Sequence, residues 1–422
     1  MTLLAEYFCG RDEIYLFIAS ARRSNLHVTR FPLQPLYEEI TVYLGKLLRA
    51  GSSEAGNALR SLVQPIIEHS NEDEVVCVVP YDMLHYLPFH ALPTSEGILG
   101  FRNPVCYAPS ASALSVCRGA TRLGGNPVVV AGDPTGDLKY ARREAESVAE
   151  AFHGTLLSGA RATKKALFAE LARYDAVDIL HLACHGLAGA KEAMQSGIIL
   201  AADPASDELR GELLAANEIL RRKLHAGLVT VSACDAGLGQ VTASDEVLGL
   251  TRALLYAGAA SVLLSYWPLD DFSTYLIVTR AYESLRHMIA EGAGDKATAI
   301  REAQRYVYDL TVRDVVGQCD VTAAQCAARS DLQGQFDLLE KAAELVTAAG
   351  DLQEALRRYQ LLRTLAQSSP AAFPRRGDYL PDQIEELEFR MLLKPPPLNY
   401  ERRPFNAEQH WAGFFLHGDW KL

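Results

Sequence analysis

The hydrophobic positions of the first 125 residues predict short strands and two helices. Apolar segments at 14–18 and 26–28 suit the two strands of a hairpin. Residues 36–48 and 58–69 instead repeat their apolar positions every three or four residues, which is the spacing of a helix. The uninterrupted apolar run Val75–Val79 is typical of a strand that is buried on both faces.

From residue 126 onward, short apolar runs alternate with helical patterns. The apolar runs are 127–131, 177–183, 228–232 and 261–265. Helical patterns lie between them at 141–152, 164–174 and 247–256, and two more follow within 272–312. This order predicts an α/β fold, with a parallel sheet flanked by helices. Ligands of such a sheet bind beyond the carboxyl ends of its strands.

Residues 317–397 are predicted to form a helical insertion. They are rich in Ala, Leu, Glu and Arg, and Gly350 and Asp351 separate two helical patterns. After the prolines at 395–397, an apolar run at 411–416 predicts a last strand. The insertion either binds a partner protein or elaborates the fold without a role of its own.

Composition and charge exclude several classes of protein. Of the 422 residues, 49% are hydrophobic and 22% are charged, which is typical of a globular chain. The net charge of −11 disfavours direct binding of nucleic acid or of an anionic membrane surface, since both would repel it. No secretory signal and no membrane span is recognisable, and the eight cysteines contain no CxxC pair. We therefore expect a cytoplasmic protein with reduced thiols, no metal and no cofactor.

Two segments carry candidate chemistry, because each follows a predicted parallel strand directly. They are 181–186 (HLACHG) and 232–237 (SACDAG), so both lie at the carboxyl edge of the sheet. His185 and Cys234 are 49 positions apart, close to the caspase-type spacing of about 50. A thiolate is a strong nucleophile, and an imidazole can serve as its base and then protonate a leaving amine. The pattern predicts a cysteine–histidine catalytic dyad.

The backbone N–H groups of Gly186 and Cys234 are the candidates for an oxyanion hole. His181 falls within the predicted strand, which indicates a structural side chain pointing inward. Two alternatives remain open at this point. Cys234 could be an inert core thiol, or a metal could be held by His181, Cys184, His185 and Cys234.

Several segments together resemble the CHAT domain, the family named for caspase HetF associated with tetratricopeptide repeats and related to separase and caspases. The resemblance covers residues 1–316 and 398–422. The segments that carry it are 84–93, 181–186, 228–239, 246–250, 267–271 and 410–414.

The resemblance implies a caspase-like parallel sheet, mixed at its edges, and a cysteine endopeptidase with His185 as base and Cys234 as nucleophile. It also implies a division of the chain into four parts. These are an N-terminal pseudo-caspase-like subdomain (1–125), a catalytic caspase-like domain (126–316), the helical insertion (317–397) and a C-terminal strand that returns to the catalytic domain (398–422).

Acidic residues after the fourth strand suggest a specificity for the residue before the cleaved bond, called P1. Separase-like relatives hold a basic P1 side chain with an acidic residue in the stretch that matches 266–271, which implies Asp271 or Asp270 here. Asp270 could instead cap the following helix. Asp133 is a further candidate for the pocket, with a turn as the alternative.

The resemblance further implies a protein substrate cleaved after Arg or Lys, and a bacterial role in antiviral defence or cell death. An uncontrolled protease would be toxic, so we expect a latent enzyme controlled by a separate activating or sensor protein. The alternative is a catalytically silent CHAT-type module that binds a partner protein.

Overall fold

The computed structural model describes residues 2–20, 25–50, 59–119, 122–187, 193–203, 211–232, 247–373, 377–393 and 396–422. The chain forms two compact units. The first comprises residues 1–307 and 407–422, and the second comprises residues 308–406.

The described strands all belong to the first unit. They are β1 (Thr2–Cys9), β2 (Glu13–Ser20), β3 (His27–Pro32), β4 (Val75–Val79), β5 (Pro93–Thr94), β6 (Gly97–Ile98), β7 (Val105–Tyr107), β8 (Val128–Gly132), β9 (Thr155–Ser158), β10 (Val177–Ala183), β11 (Gly186–Leu187), β12 (Gly197–Leu200), β13 (Glu212–Ala215), β14 (Ala226–Ser232), β15 (Ser261–Ser265) and β16 (Phe414–Gly418).

The described helices follow the same order along the chain. They are α1 (Leu33–Ala50), α2 (Arg60–His69), α3 (Leu99–Arg102), α4 (Ala111–Cys117), α5 (Ala141–Phe152), α6 (Lys164–Leu171), α7 (Ala216–Ile219), α8 (Val247–Tyr256), α9 (Asp271–Glu291), α10 (Lys296–Asp309), α11 (Val312–Ala328), α12 (Leu332–Ala348), α13 (Leu352–Ser368), α14 (Leu380–Leu392) and α15 (Glu408–Trp411). Among these described helices, none is both long enough and apolar enough to cross a membrane.

One mixed sheet of eleven described strands organises the first unit. Its order is β3-β2-β1-β4-β7-β16-β15-β14-β10-β8-β9. The pairs β9–β8, β8–β10, β10–β14 and β14–β15 are parallel, whereas β16 is antiparallel to β15, and β2 is antiparallel to both β1 and β3. The predicted α/β class, with a mixed, largely parallel sheet flanked by helices, is confirmed, and its antiparallel pairs lie at the β3 edge and, between β15 and β16, in its middle.

The parallel strands end level with one another, which fixes the position of the loops that follow them. Gly132 of β8 lies beside Ala183 of β10, and Ala183 lies beside Ser232 of β14. Every side chain of β8, β10, β14 and β15 is buried, as continuous apolar runs in a covered parallel sheet should be. The loops after β8, β10 and β14 therefore begin at one edge of the sheet.

Helix α5 packs against β8, β10 and α9. A glycine makes this approach possible, because a Cβ added to Gly132 would lie 2.2 Å from the Cβ of Ala145. The close packing brings the start of α5 and the start of α9 to the edge of the sheet where β10 ends.

The strands before residue 125 and those after it belong to the same sheet, joined through β7, β16 and β15. The division at 125/126 therefore stays a prediction. The last strand is β16, which begins at Phe414 rather than at residue 411. Trp411 instead ends the short helix α15, where its buried ring lies 4.9 Å from that of Phe101.

The second unit is helical, and each of α11 to α14 packs against the next. The predicted break between α12 and α13 is confirmed, and Gly350 takes the left-handed backbone conformation (φ 87°) that a glycine adopts readily. Arg358 of α13 joins the helices, because its guanidinium donates two hydrogen bonds of 2.7 Å to Asp320 of α11. The unit extends beyond the expected insertion 317–397 at both ends.

Candidate active site

His185 follows β10 directly, in a stretch of backbone tied to its neighbours. The N–H of Asp133, after β8, donates to the carbonyl of Ala183 (2.9 Å), and the N–H of Cys184 donates to the carbonyl of Ser232 (3.2 Å). The carbonyl of His185 itself accepts from Ile199 of β12 (2.9 Å). These bonds hold the end of β10 between β8 and β14.

The His185 ring is partly exposed and has an acidic partner that the sequence analysis missed. Its Nε2 lies 2.9 Å from Oδ1 of Asp137, in the loop between β8 and α5. The hydroxyl of Thr135 donates to the same oxygen. The Thr135 hydrogen bond, and then the His185 contact, hold the pKa of Asp137 below its usual value against the effect of burial. One signal pointed to Asp137, since it follows a strand that ends at the same sheet edge as β10.

Cys234, the predicted nucleophile and second oxyanion-hole residue, lies outside the described residues. Ser232, two positions before it, is described and ends β14. The prediction that the strands before His185 and Cys234 are neighbours is confirmed, because β10 and β14 pair in parallel. Gly186, the other oxyanion-hole candidate, begins β11 and lies beside Ile198 of β12.

A small cleft gathers several of the predicted site residues at this edge. Its volume is about 20 Å³, with room for about one water molecule. Its lining residues are Leu138, Ala141, Cys184, His185, Ser232, Ser265, Leu269, Asp271 and Thr274. The cleft thus brings together His185, Asp271 and the end of β14, whereas Asp270 and Asp133 are not among its lining residues.

Asp271 is the acidic side chain of the cleft. It is the first residue of α9, and its Oδ2 accepts a hydrogen bond of 3.1 Å from the backbone N–H of Tyr140. Burial raises its pKa from 3.8 to about 6, and the nearby carboxylates of Glu144, Asp270 and Asp133 add to this rise. The carboxylate is therefore ionised at neutral pH, in surroundings that disfavour its charge.

The other two acidic candidates hold local structure. Asp270 caps α9, since its Oδ1 accepts the N–H of Ser273 (2.9 Å). Asp133 has a left-handed backbone (φ 46°), and its Oδ1 accepts the N–H of Leu138 (3.1 Å), as a turn residue does. Burial raises the pKa of Asp133. Both residues therefore have the structural roles that the sequence analysis left open.

His181 lies in the core below the cleft, as expected of a structural residue. Its ring is fully buried, with Nε2 3.0 Å from Oε1 of Glu144, a contact without hydrogen-bond geometry. Tyr282 lies 3.3 Å from the other ring nitrogen and donates a hydrogen bond of 2.7 Å to Thr230. Cys184 is also buried, and burial raises the pKa of its thiol well above the usual value. Across the described ranges, no three His, Cys, Asp or Glu side chains are placed to hold a metal.

Residues 53–419 match the family model of the CHAT domain. Among curated proteins, the chain is similar to Tetratricopeptide repeat protein 28 of Mus musculus, with 30% identity over 179 residues, covering 36% of this chain and 7% of that protein. For the Homo sapiens protein the identity is 27% over 239 residues, covering 49% of this chain and 9% of that protein. The chain thus spans less than a tenth of the length of these relatives.

Two solved structures with low similarity are the separase–securin complex of Saccharomyces cerevisiae and the Arg-specific cysteine proteinase gingipain R. The first shares 15% identity at a TM-score of 0.39, over 54% of this chain and 14% of that chain. The second shares 8% identity at a TM-score of 0.39, over 60% of this chain and 62% of that chain.

Proposed function

The chain belongs to the CHAT domain family, and on that premise we propose that it is a cysteine endopeptidase with His185 and Cys234 as its catalytic dyad. The observation that carries the proposal is the cleft, where His185 lies beside the end of β14, two residues before Cys234. The parallel pairing of β10 and β14 supports the approach of the two loops.

The proposed reaction is acyl transfer to a thiolate. His185 accepts the proton of the Cys234 thiol, and the sulfur attacks the carbonyl carbon of the scissile peptide bond. The backbone N–H groups of Gly186 and Cys234 donate to the oxyanion of the tetrahedral intermediate. His185 then protonates the leaving amine as the C–N bond breaks, and water hydrolyses the resulting thioester.

We assign selection of Arg or Lys at P1 to Asp271. Its carboxylate lines the same cleft as His185 and is ionised above about pH 6. A guanidinium or ammonium group in the cleft would give this partly buried anion a counter-charge. Asp270 and Asp133 remain weaker candidates for the same role, since each already serves a cap or a turn.

We further propose that the enzyme is latent until a separate activating or sensor protein acts on it. The cleft of about 20 Å³ is smaller than a lysine or arginine side chain, which supports the proposal that its walls move on activation. The substrate is proposed to be a protein. The role as a bacterial defence or cell-death effector in the cytoplasm rests on the family resemblance alone.

A second function, that of a catalytically silent module binding a partner, is favoured by one surface of the helical unit. At the end of α14 the exposed fractions of Phe389, Leu392 and Leu393 are 62%, 84% and 55%. Apolar surface of this kind often marks a site of protein interaction. The relatives named for tetratricopeptide repeats are consistent with a partner-binding role.

Labelling of the thiols separates the two functions. The intact chain is treated with an acyloxymethylketone probe carrying Arg, alone and with each protein encoded by neighbouring genes, and labelling is measured by mass spectrometry. We expect Cys234 to react roughly 100-fold faster than Cys9, because the proposed mechanism gives Cys234 a base and a binding site. Cys9 is half-buried, and burial raises the pKa of its thiol.

Two variants serve as controls in the labelling assay and in a second assay, which measures hydrolysis of a fluorogenic peptide with Arg at P1. His185→Gln should abolish the preference for Cys234, and Cys234→Ala should abolish hydrolysis. Equal labelling of Cys234 and Cys9 under every condition would support the silent module instead. Hydrolysis that survives Cys234→Ala would exclude the proposed nucleophile.

A further inference from the structure

We propose that Asp137 is a positioning residue, which holds the His185 ring with its hydrogen on Nε2 and so makes Nδ1 the nitrogen that accepts the Cys234 proton. This inference rests on the proposed function and adds a third side chain to the dyad.

The first support is the contact itself. The Nε2 atom of His185 lies 2.9 Å from Oδ1 of Asp137, a normal hydrogen-bond distance. An ionised carboxylate only accepts hydrogen bonds, so the nitrogen that faces it must carry the hydrogen. In the neutral ring Nδ1 then has a free lone pair, and within the described residues Nδ1 has no hydrogen-bond partner.

The second support is that Asp137 is itself held in place. The Thr135 hydroxyl donates to the same carboxylate oxygen that His185 contacts. The loop is closed on itself, because the carbonyl of Asp133 accepts from Gly136 (3.3 Å) and its side chain accepts from Leu138 (3.1 Å). These bonds fix the residues on both sides of Asp137. The carboxylate is thus held by Thr135 as well as by His185.

The third support is the sheet register, which makes the contact a property of the fold. Gly132 and Ala183 lie side by side at the ends of β8 and β10, and Asp137 and His185 follow them by five and two residues. The hydrogen bond from Asp133 to Ala183 ties the two loops where they begin. The contact therefore depends on strand pairing rather than on chance contact between two surface side chains.

The exposure of the pair sets the size of the expected effect. The Asp137 side chain is 65% exposed and that of His185 is 35% exposed, so water screens the attraction between their charges. The main contribution is then the orientation of the base. General bases contribute roughly 100- to 10,000-fold to rates, and we expect loss of the positioning part to lower kcat roughly 10- to 100-fold.

The test uses three replacements of Asp137 in the full chain. Asp137→Ala removes the acceptor, Asp137→Asn removes the charge and introduces an amide that can also donate to His185, and Asp137→Glu keeps both the charge and the acceptor. The matched control is Asp175→Ala, because Asp175 is exposed and precedes β10 at the opposite end of the strand. Unchanged thermal unfolding of each variant shows that the fold is retained.

The first readout needs neither activity nor an activator. Imidazole ¹⁵N shifts of the histidine-labelled chain at pH 9, assigned to His185 with His185→Gln, report which ring nitrogen carries the hydrogen. We expect the Nε2–H form alone in the wild type, Asp137→Glu and Asp175→Ala. In Asp137→Ala we expect the mixture of Nε2–H and Nδ1–H forms that histidine shows in a peptide. A wild-type spectrum that already shows this mixture, or the Nδ1–H form, would overturn the inference.

The second readout is cleavage of an Arg peptide by the activated enzyme. Asp137→Ala should lower kcat with KM unchanged, Asp137→Glu should restore most of the loss, and Asp137→Asn should not, because its amide can hold the other tautomer. An unchanged kcat in Asp137→Ala would overturn the positioning role while leaving the dyad intact. If Cys234→Ala does not affect cleavage, the proposed function fails instead, and the ¹⁵N shifts still decide what Asp137 does to the ring.

Discussion

Replacement of Asp271 by Asn is expected to stabilise the folded protein at neutral pH while weakening its proposed function. The Asp271 carboxylate lines the cleft beside His185, and its Oδ2 accepts the backbone N–H of Tyr140. An asparagine oxygen can accept the same bond. The substitution therefore removes the charge and keeps the hydrogen bond that anchors the start of α9.

The magnitude follows from the pKa of Asp271, which burial raises from 3.8 to about 6. Between these values the folded protein binds a proton that the unfolded chain has released. The stability from protonated Asp271 is therefore complete below about pH 4 and is lost as the pH rises through about 6. A shift of about two pKa units corresponds to about 3 kcal/mol, and partial exposure reduces the expected loss to about 2 kcal/mol.

The assay is urea unfolding followed by tryptophan fluorescence at pH 4.5, 6.0 and 7.5. The three tryptophans, Trp267, Trp411 and Trp420, all belong to the first unit, so their fluorescence reports the unit that holds the cleft. Asp271→Asn should gain stability relative to wild type as the pH rises, whereas the exposed control Asp175→Asn should not. If the difference in stability between wild type and variant is the same at all three pH values, the pKa of Asp271 is not raised in the folded protein.

The same variant tests the specificity. Loss of a desolvated charge partner costs about 3 kcal/mol, so Asp271→Asn should lower kcat/KM for an Arg peptide about 100-fold and leave a Gln peptide nearly unaffected. Asp175→Asn is the matched control, because Asp175 is exposed and lies at the opposite end of β10. Equal selectivity of wild type and Asp271→Asn would remove Asp271 from the P1 pocket.

Three further predictions concern buried or partly buried charges. Burial lowers the pKa of Lys296 from 10.5 to about 8. The free energy of unfolding should therefore rise by about 3 kcal/mol between pH 8 and 10.5, because the unfolded chain binds a proton that the folded protein has released. Urea unfolding of Lys296→Met should lack this rise. Glu144→Leu removes the carboxyl group that lies 3.0 Å from Nε2 of the buried His181 ring without hydrogen-bond geometry, so urea unfolding should show a loss of only about 1 kcal/mol, and the double variant with His181→Leu should lose less. Arg358→Met removes both hydrogen bonds to Asp320 and should lower the free energy of unfolding of the helical unit by about 2 kcal/mol. Backbone hydrogen exchange in α11 and α13 should become faster, and unchanged exchange would contradict this prediction.

Elements with a local signal were predictable from the sequence. The runs that became β4, β8, β14 and β15 are almost wholly apolar because both faces of these strands are buried, and the run of β10, buried in the same way, is interrupted by Asp178 and His181. The α12–α13 hairpin was predictable for a similar reason, since helical spacing and a glycine break depend on residues close in the chain. The position of His185 at a sheet edge followed from the strand that precedes it.

Which side chains meet at that edge depends on long-range packing. Asp133 and Asp137 lie in one loop, yet Asp137 contacts His185 while Asp133 closes the turn. Asp270 and Asp271 are adjacent, yet one caps α9 and the other lines the cleft, because successive residues at a helix start point in different directions. Such choices depend on the pairing of β8 with β10 and on the packing of α5 and α9, which involve residues far apart in the chain and leave no local pattern.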